Sequence, residues 1–85
     1  MAMVVIYGTP TCGFCLRAKK LAERNNLSYE YKDITYEKFK HELVEQYGGE
    51  PKTVPQIWWN KNYIGGYEEF ATEVENTRTF GDGSF

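Results

Sequence analysis

The first apolar run of this 85-residue chain, Met3-Val4-Val5-Ile6-Tyr7, shows no alternation. Its β-branched and aromatic residues predict a short strand buried on both faces. Gly8-Thr9-Pro10-Thr11 follows as a loop, with Pro10 helping to end the strand. From Gly13 to about Asn25 the period becomes helical, with Cys15, Ala18, Leu21 and Ala22 on one face and Arg17, Lys20 and Arg24 on another. Asn25-Asn26 stops that helix. Tyr29, Tyr31 and Asp33 then alternate with Glu30, Lys32 and Ile34, the pattern of a second strand.

Thr35 is the expected N-cap of a second helix, on which Phe39, Leu43 and Tyr47 recur at helical spacing, with Lys38 at the capping-box position where an acid is usual. Gly48-Gly49 supplies its C-terminal stop. After the loop Glu50 to Pro55, Gln56-Ile57-Trp58-Trp59 predicts a third strand, Asn60-Lys61-Asn62 a turn and Tyr63-Ile64 the return strand, ended by Gly65-Gly66. Trp58 and Trp59, adjacent on a strand, face opposite sides and are expected to pack in the core. A last helix runs from Tyr67 to about Arg78 with Phe70 and Val74 as its apolar contacts. The order β-α-β-α-β-β-α implies a parallel crossover between the first two strands and an antiparallel final pair. The expected fold class is therefore α/β, a mixed four-stranded sheet with helices on both faces. Residues 1–78 form one domain and the Gly-rich 79–85 a frayed tail.

Hydrophobic residues make up 41% of the chain and aromatic residues 16%, so a few large rings can fill the core of so small a domain. The net charge is −2 and no run of like charges occurs, which argues against nucleic acid or an anionic membrane as the main partner. The N-terminal apolar run stops at Gly8, too short for a signal peptide or a membrane span, and a cytoplasmic protein is expected. In a reducing compartment two cysteines spaced Cys-x-x-Cys point to redox chemistry or metal binding rather than to a structural staple.

Cys12 and Cys15 stand at the junction of the first strand and the first helix, in Thr11-Cys12-Gly13-Phe14-Cys15. The unpaired N–H groups and positive end of a helix start favour thiolate over thiol at Cys12. With Cys15 one turn further in, the pair can close a short disulfide, so that one sulfur attacks and the other resolves the adduct. The competing readings are an inert buried thiol and a zinc ligand. A structural zinc site wants four ligands, and beyond the two cysteines the chain has one histidine, His41, so no metal is expected. Pro55 reads only as a loop-to-strand junction. Gly65-Gly66-Tyr67-Glu68-Glu69 places a helix N-terminus, able to receive a carboxylate, after a flexible pair; alternatively Glu68 and Glu69 simply complement the helix dipole.

Three blocks together, Tyr7-Gly8-Thr9-Pro10-Thr11-Cys12-Gly13-Phe14-Cys15, Thr53-Val54-Pro55-Gln56-Ile57 and Ile64-Gly65-Gly66-Tyr67-Glu68-Glu69-Phe70, resemble the dithiol glutaredoxins of the thioredoxin-fold superfamily over roughly residues 3 to 78. The resemblance implies a thioredoxin-like fold and a glutathione-dependent thiol–disulfide oxidoreductase that reduces protein disulfides and glutathione mixed disulfides, with Cys12 as nucleophile, Cys15 as resolving thiol and glutathione as co-substrate. It implies a cis bond before Pro55, leaving the Val54 backbone free to pair with an extended peptide. Glutathione would touch Phe14, the Thr53-Val54-Pro55 loop and Gly66-Tyr67-Glu68-Glu69, its γ-glutamyl carboxylate on the N–H groups of Glu68 and Glu69 and its ammonium at the Glu69 side chain. Two positions depart from the family pattern. Thr9 replaces a frequent Lys or Arg, for which Lys40 or Lys52 would have to substitute, and Gly13 replaces a frequent proline. The implied protein partners are disulfide-containing or glutathionylated proteins, ribonucleotide reductase first among them, and the chain is expected to act as a monomer. The alternatives are an iron–sulfur carrier, in which two chains share a cluster through Cys12 and glutathione, and a glutaredoxin-like protein reduced by thioredoxin reductase.

Overall fold

In the computed structural model, which describes residues 3–82, strand β1 (Met3–Gly8) lies inside a four-stranded sheet of order β2-β1-β3-β4. Its neighbour β2 (Ser28–Asp33) runs parallel to it in a register from Met3 opposite Ser28 to Gly8 opposite Asp33. Helix α1 (Gly13–Arg24) makes the crossover between them. On the other side β3 (Gln56–Trp59) is antiparallel to β1, and β4 (Asn62–Gly65) is antiparallel to β3. Helices α2 (Glu37–Tyr47) and α3 (Tyr67–Asp82) complete the expected order.

The unbroken apolar run of β1 is explained by cover on both sides. Val4 and Ile6, with Ile57, face Ala18 and Ala22 of α1 and Phe70 and Val74 of α3. Tyr7 and Trp58 face the opposite way, where Leu43 of α2 closes over them. The two tryptophans divide accordingly. Trp58 meets Tyr7 and Tyr63 edge-on at centroid distances of 5.5 and 4.9 Å, while Trp59 meets Phe70 at 5.7 Å on the other face. Both short alanines sit where α1 crosses the sheet, which lets the helix, and with it the cysteines at its start, pack close to β1. Among the described residues no helix is long and apolar enough to cross a membrane.

Three local expectations need correction. Thr35 does not cap α2: its N–H and hydroxyl both donate to Asp33 Oδ1, at 2.9 and 2.7 Å, so it is held in the turn, and Tyr36 takes the N-cap position without a side-chain hydrogen bond. The hairpin turn has two residues rather than three. Asn60 and Lys61 both have positive φ, 53° and 72°, as a type I′ turn requires, and Asn62 joins β4. Asn60 is fixed there by β1, its N–H donating to Met3 O at 2.9 Å and its Oδ1 accepting from Met3 N at 3.0 Å. Finally, α3 continues beyond Arg78 to Asp82, so residues 79–82 are helical rather than a frayed tail; without a proline, one glycine in the last turn costs only about 1 kcal/mol. The rest of the proposed tail, residues 83–85, lies outside the described residues.

Phe70 is completely buried and joins α3 to both β3 and α1. Phe70→Ala should therefore destabilise the protein by about 3–5 kcal/mol, a large share of the roughly 5–15 kcal/mol available to a small domain. Urea unfolding should show a lower midpoint at an unchanged slope; a loss under about 1 kcal/mol would mean that α3 is not docked through this ring.

Candidate active site

Helix α1 begins on a sulfur. Cys12 is its N-cap, with extended backbone angles (φ −87°, ψ 120°), and its Sγ accepts the Cys15 N–H at 3.2 Å where a serine or aspartate oxygen would ordinarily do so. The Cys12 thiol points in turn at the Val54 carbonyl, 3.7 Å away, across the cis Val54–Pro55 bond that the resemblance implied. Cys12 is half-buried and Cys15 fully buried, and both are free thiols. One sulfur can thus be reached from outside and the other only from the first.

Cys15 lies against the end of β1 and the hydroxyl of Tyr31. Burial pushes its thiol up to about 11, and the hydrogen bond with Cys12 adds to that, while the Thr9 backbone and the Tyr31 hydroxyl act in the opposite direction. Tyr31 donates to Thr9 O at 2.7 Å, tying β2 to the loop that precedes the cysteines. Burial raises its phenol well above the ordinary range, and the nearby Cys15 sulfur raises it further.

Beside Cys12 opens a cavity of about 370 Å³ lined by Phe14, Thr53, Val54, Pro55, Gly66, Tyr67, Glu68 and Glu69. All eight are residues expected to touch glutathione. Phe14, 51% exposed, and Tyr67 form a tilted aromatic wall with ring centroids 5.9 Å apart, and the Arg17 guanidinium lies over Phe14 at 5.2 Å. The start of α3 lies against the proline loop: a side chain on Gly66 would meet Pro55 O at an ordinary contact distance of 3.7 Å. Phe70 N–H donates to Gly66 O at 3.0 Å, so the N–H groups of Tyr67, Glu68 and Glu69 belong to the first turn of α3 and have no partner within the helix. Glu69 folds back so that its Oε1 accepts the Gly66 N–H at 3.0 Å. Glu69 thus caps the start of α3, and its carboxylate retains acceptor capacity for an ammonium.

Lys40, the ninth residue expected to touch glutathione, is not among those lining the cavity; it pairs with Glu50 at 3.0 Å. The lining holds two glutamates and neither lysine nor arginine. A larger hollow of about 670 Å³ lies on the α2 side, between Met3, Val5, Tyr7, Lys32, Trp58 and Lys61, with no cysteine in its lining. His41 faces Glu45 at 3.5 Å, and among the described residues no group of three or more His, Cys, Asp or Glu is gathered to hold a metal.

Two supporting residues were not singled out from the sequence. Gln56 is the one buried polar side chain among the described residues; it donates to Thr53 O at 2.9 Å and accepts from the Tyr63 hydroxyl at 2.5 Å, bracing the proline loop from within. Tyr31 is the other. Strand alternation places it on the α1 side of β2, but only the structure shows its hydroxyl arriving beside Cys15.

Residues 4–64 match the family model described as Glutaredoxin. Glutaredoxin 1 of Escherichia coli (strain K12) is 43% identical over 77 residues, covering 84% of this chain and 91% of that protein. The solved structure of reduced Escherichia coli glutaredoxin superposes with a TM-score of 0.73 at 39% identity, covering 89% of this chain and 96% of its own. A buckwheat glutaredoxin–glutathione complex shares the fold at a TM-score of 0.72 and 22% identity, over 92% of this chain and 73% of its own.

The contrast in burial between the sulfurs sets an expected labelling pattern. Brief treatment of the reduced native protein with iodoacetamide at pH 7 should modify Cys12 alone, Cys15 reacting only after unfolding or as the pH rises towards about 11, where its thiolate forms. Peptide mapping reads both sites. Equal labelling of the two at pH 7 would contradict the assigned geometry.

Proposed function

The chain belongs to the glutaredoxin family, glutathione-dependent thiol–disulfide oxidoreductases, and on that premise we propose how its own residues divide the reaction. Cys12 attacks one sulfur of a substrate disulfide; a bond forms between Cys12 Sγ and that sulfur, the substrate S–S bond breaks, and the departing sulfur takes the electron pair and a proton. Cys15 then attacks Cys12 Sγ, closing the Cys12–Cys15 disulfide and releasing the second substrate thiol. One glutathione opens this disulfide to give Cys12 bearing a glutathionyl group and a free Cys15 thiol. A second glutathione attacks the glutathionyl sulfur and leaves as oxidised glutathione.

The observation that carries this reading is the meeting of one accessible sulfur, one buried sulfur and the eight-residue cavity at a single face. In the proposed arrangement the glutathionyl group lies in that cavity. Its γ-glutamyl carboxylate takes the free N–H groups at the start of α3, its ammonium faces Glu69, and its backbone runs along Val54. Disulfide-containing and glutathionylated proteins are the substrates, and ribonucleotide reductase is the candidate protein disulfide on the strength of the family resemblance. The protein is proposed to work as a cytoplasmic monomer.

Cys15→Ser separates the two chemistries. Removal of glutathionyl groups needs only Cys12 and a second glutathione, so that activity should be retained, while reduction of a protein disulfide loses the intramolecular resolving step and should fall at least tenfold. Cys12→Ser should abolish both. Equal loss of both activities in Cys15→Ser would withdraw the resolving role.

The second prediction follows from the charge of the cavity, whose lining holds no lysine or arginine for glutathione's glycine carboxylate. Thr9→Lys should lower the KM for glutathione by about three- to tenfold, the size of one charge-assisted contact in a partly desolvated site. An unchanged or higher KM would show that another cation already serves.

A further inference from the structure

Strand β1, the resolving sulfur and a phenol crowd together at Gly8. A side chain begun there would lie 2.6 Å from Cys15 Sγ and 2.7 Å from Tyr31 Oη, closer than unbonded atoms pack, so the absence of one is what lets the two groups converge. Tyr31 sits on β2 in register with Ile6, its ring packed against the core on the α1 side. The hydrogen of its hydroxyl goes to Thr9 O at 2.7 Å in the reduced protein. Because a hydroxyl turns about its C–O bond, the same donor can be aimed at the sulfur without moving the ring.

Cys15 is sealed from water, so negative charge that develops on it during the attack on Cys12 is answered only by its neighbours. The ionisable side chains that act most on it are Cys12, from its own helix, and Tyr31, from β2, while β1 presents Gly8, which has no side chain. We propose that Tyr31 is a positioning residue for the resolving half-reaction, its hydroxyl turning from Thr9 O to donate a hydrogen bond to Cys15 Sγ as that sulfur becomes negative, and holding it towards Cys12. In the step it assists, the Cys15 sulfur bonds to Cys12 Sγ, the Cys12–substrate S–S bond breaks, and the substrate sulfur leaves with the electron pair and takes up the proton that Cys15 gives up. This inference rests on the dithiol reading above.

The test is a peptide disulfide whose two halves carry different reporters, mixed with reduced enzyme in a single turnover. The first thiol released reports attack by Cys12, and the second reports resolution by Cys15. Tyr31→Phe, which keeps the ring, should leave the first release within twofold, slow the second about tenfold and move the pH midpoint of the second release upward, since a donor to a charged sulfur has been removed. Should Tyr31→Phe fail to fold, 3-fluorotyrosine placed at position 31, a stronger donor of the same shape, should move that midpoint downward, and a midpoint left in place overturns the proposal. The proposal is overturned if the pH midpoint of the second release stays put, or if both releases slow by the same factor, as loss of the Thr9 anchor alone would cause. Cys15→Ser run alongside should show no second release; if one persists, the dithiol reading has failed independently of Tyr31.

Discussion

The hydrogen bond from the Cys15 N–H to Cys12 Sγ fixes the start of α1, and the rest of the site depends on where that start lies. Capping by a sulfur places Cys12 outside the helix and Cys15 one turn inside it, so a single local interaction makes one thiol accessible and buries the other. The burial is completed from below: α1 packs on the sheet through Ala18 and Ala22, and β1 ends in Gly8, which leaves room for Cys15. On the outer side the proline loop presents its Val54 carbonyl to Cys12. Strand, helix and loop are therefore held in relation to one another by the atoms that take part in the chemistry.

Charge shapes what the site can hold. The exposed N–H groups at the start of α3 and the carboxylate of Glu69 offer complementary partners to an amino acid's carboxylate and ammonium, which suits the γ-glutamyl end of glutathione. The lining holds no lysine or arginine for the other end, position 9 being a threonine and Lys40 lying outside the lining. What the site offers besides is the aromatic wall of Phe14 and Tyr67, with the Arg17 guanidinium over Phe14, and the Val54 backbone.

Much of this architecture is legible in the sequence because it is written in short-range patterns. The unalternating run of β1, the helical spacing of Cys15, Ala18 and Ala22, and the glycine pair after Tyr47 each specify an element through local geometry. The local differences lie where the partner of one side chain decides. Thr35 is a good cap by type, but Asp33 holds it; Asn62 reads as turn, but Asn60 is pinned to Met3 and leaves only two residues for the reversal. In the site, Cys12, Cys15 and the eight lining residues carry recognisable motifs, as does Gln56, whose bracing role shows only in its contacts, whereas Tyr31 acts through a contact 22 positions away that no motif marks. Lys40 is the converse case: a cation of the right type on α2 that lies outside the cavity lining and pairs with Glu50 at the surface.

One surface, formed by the first turn of α1, the proline loop and the start of α3, is proposed to receive the glutathionyl group. Titrating the reduced, isotope-labelled protein with S-methylglutathione, which cannot exchange disulfides, and following the backbone amide resonances tests it directly. Saturable shifts should concentrate at residues 12–15, 53–56 and 66–70, with α2, Lys40 included, unmoved. Shifts centred on α2, or on the hollow between Val5, Lys32 and Trp58, would contradict the account.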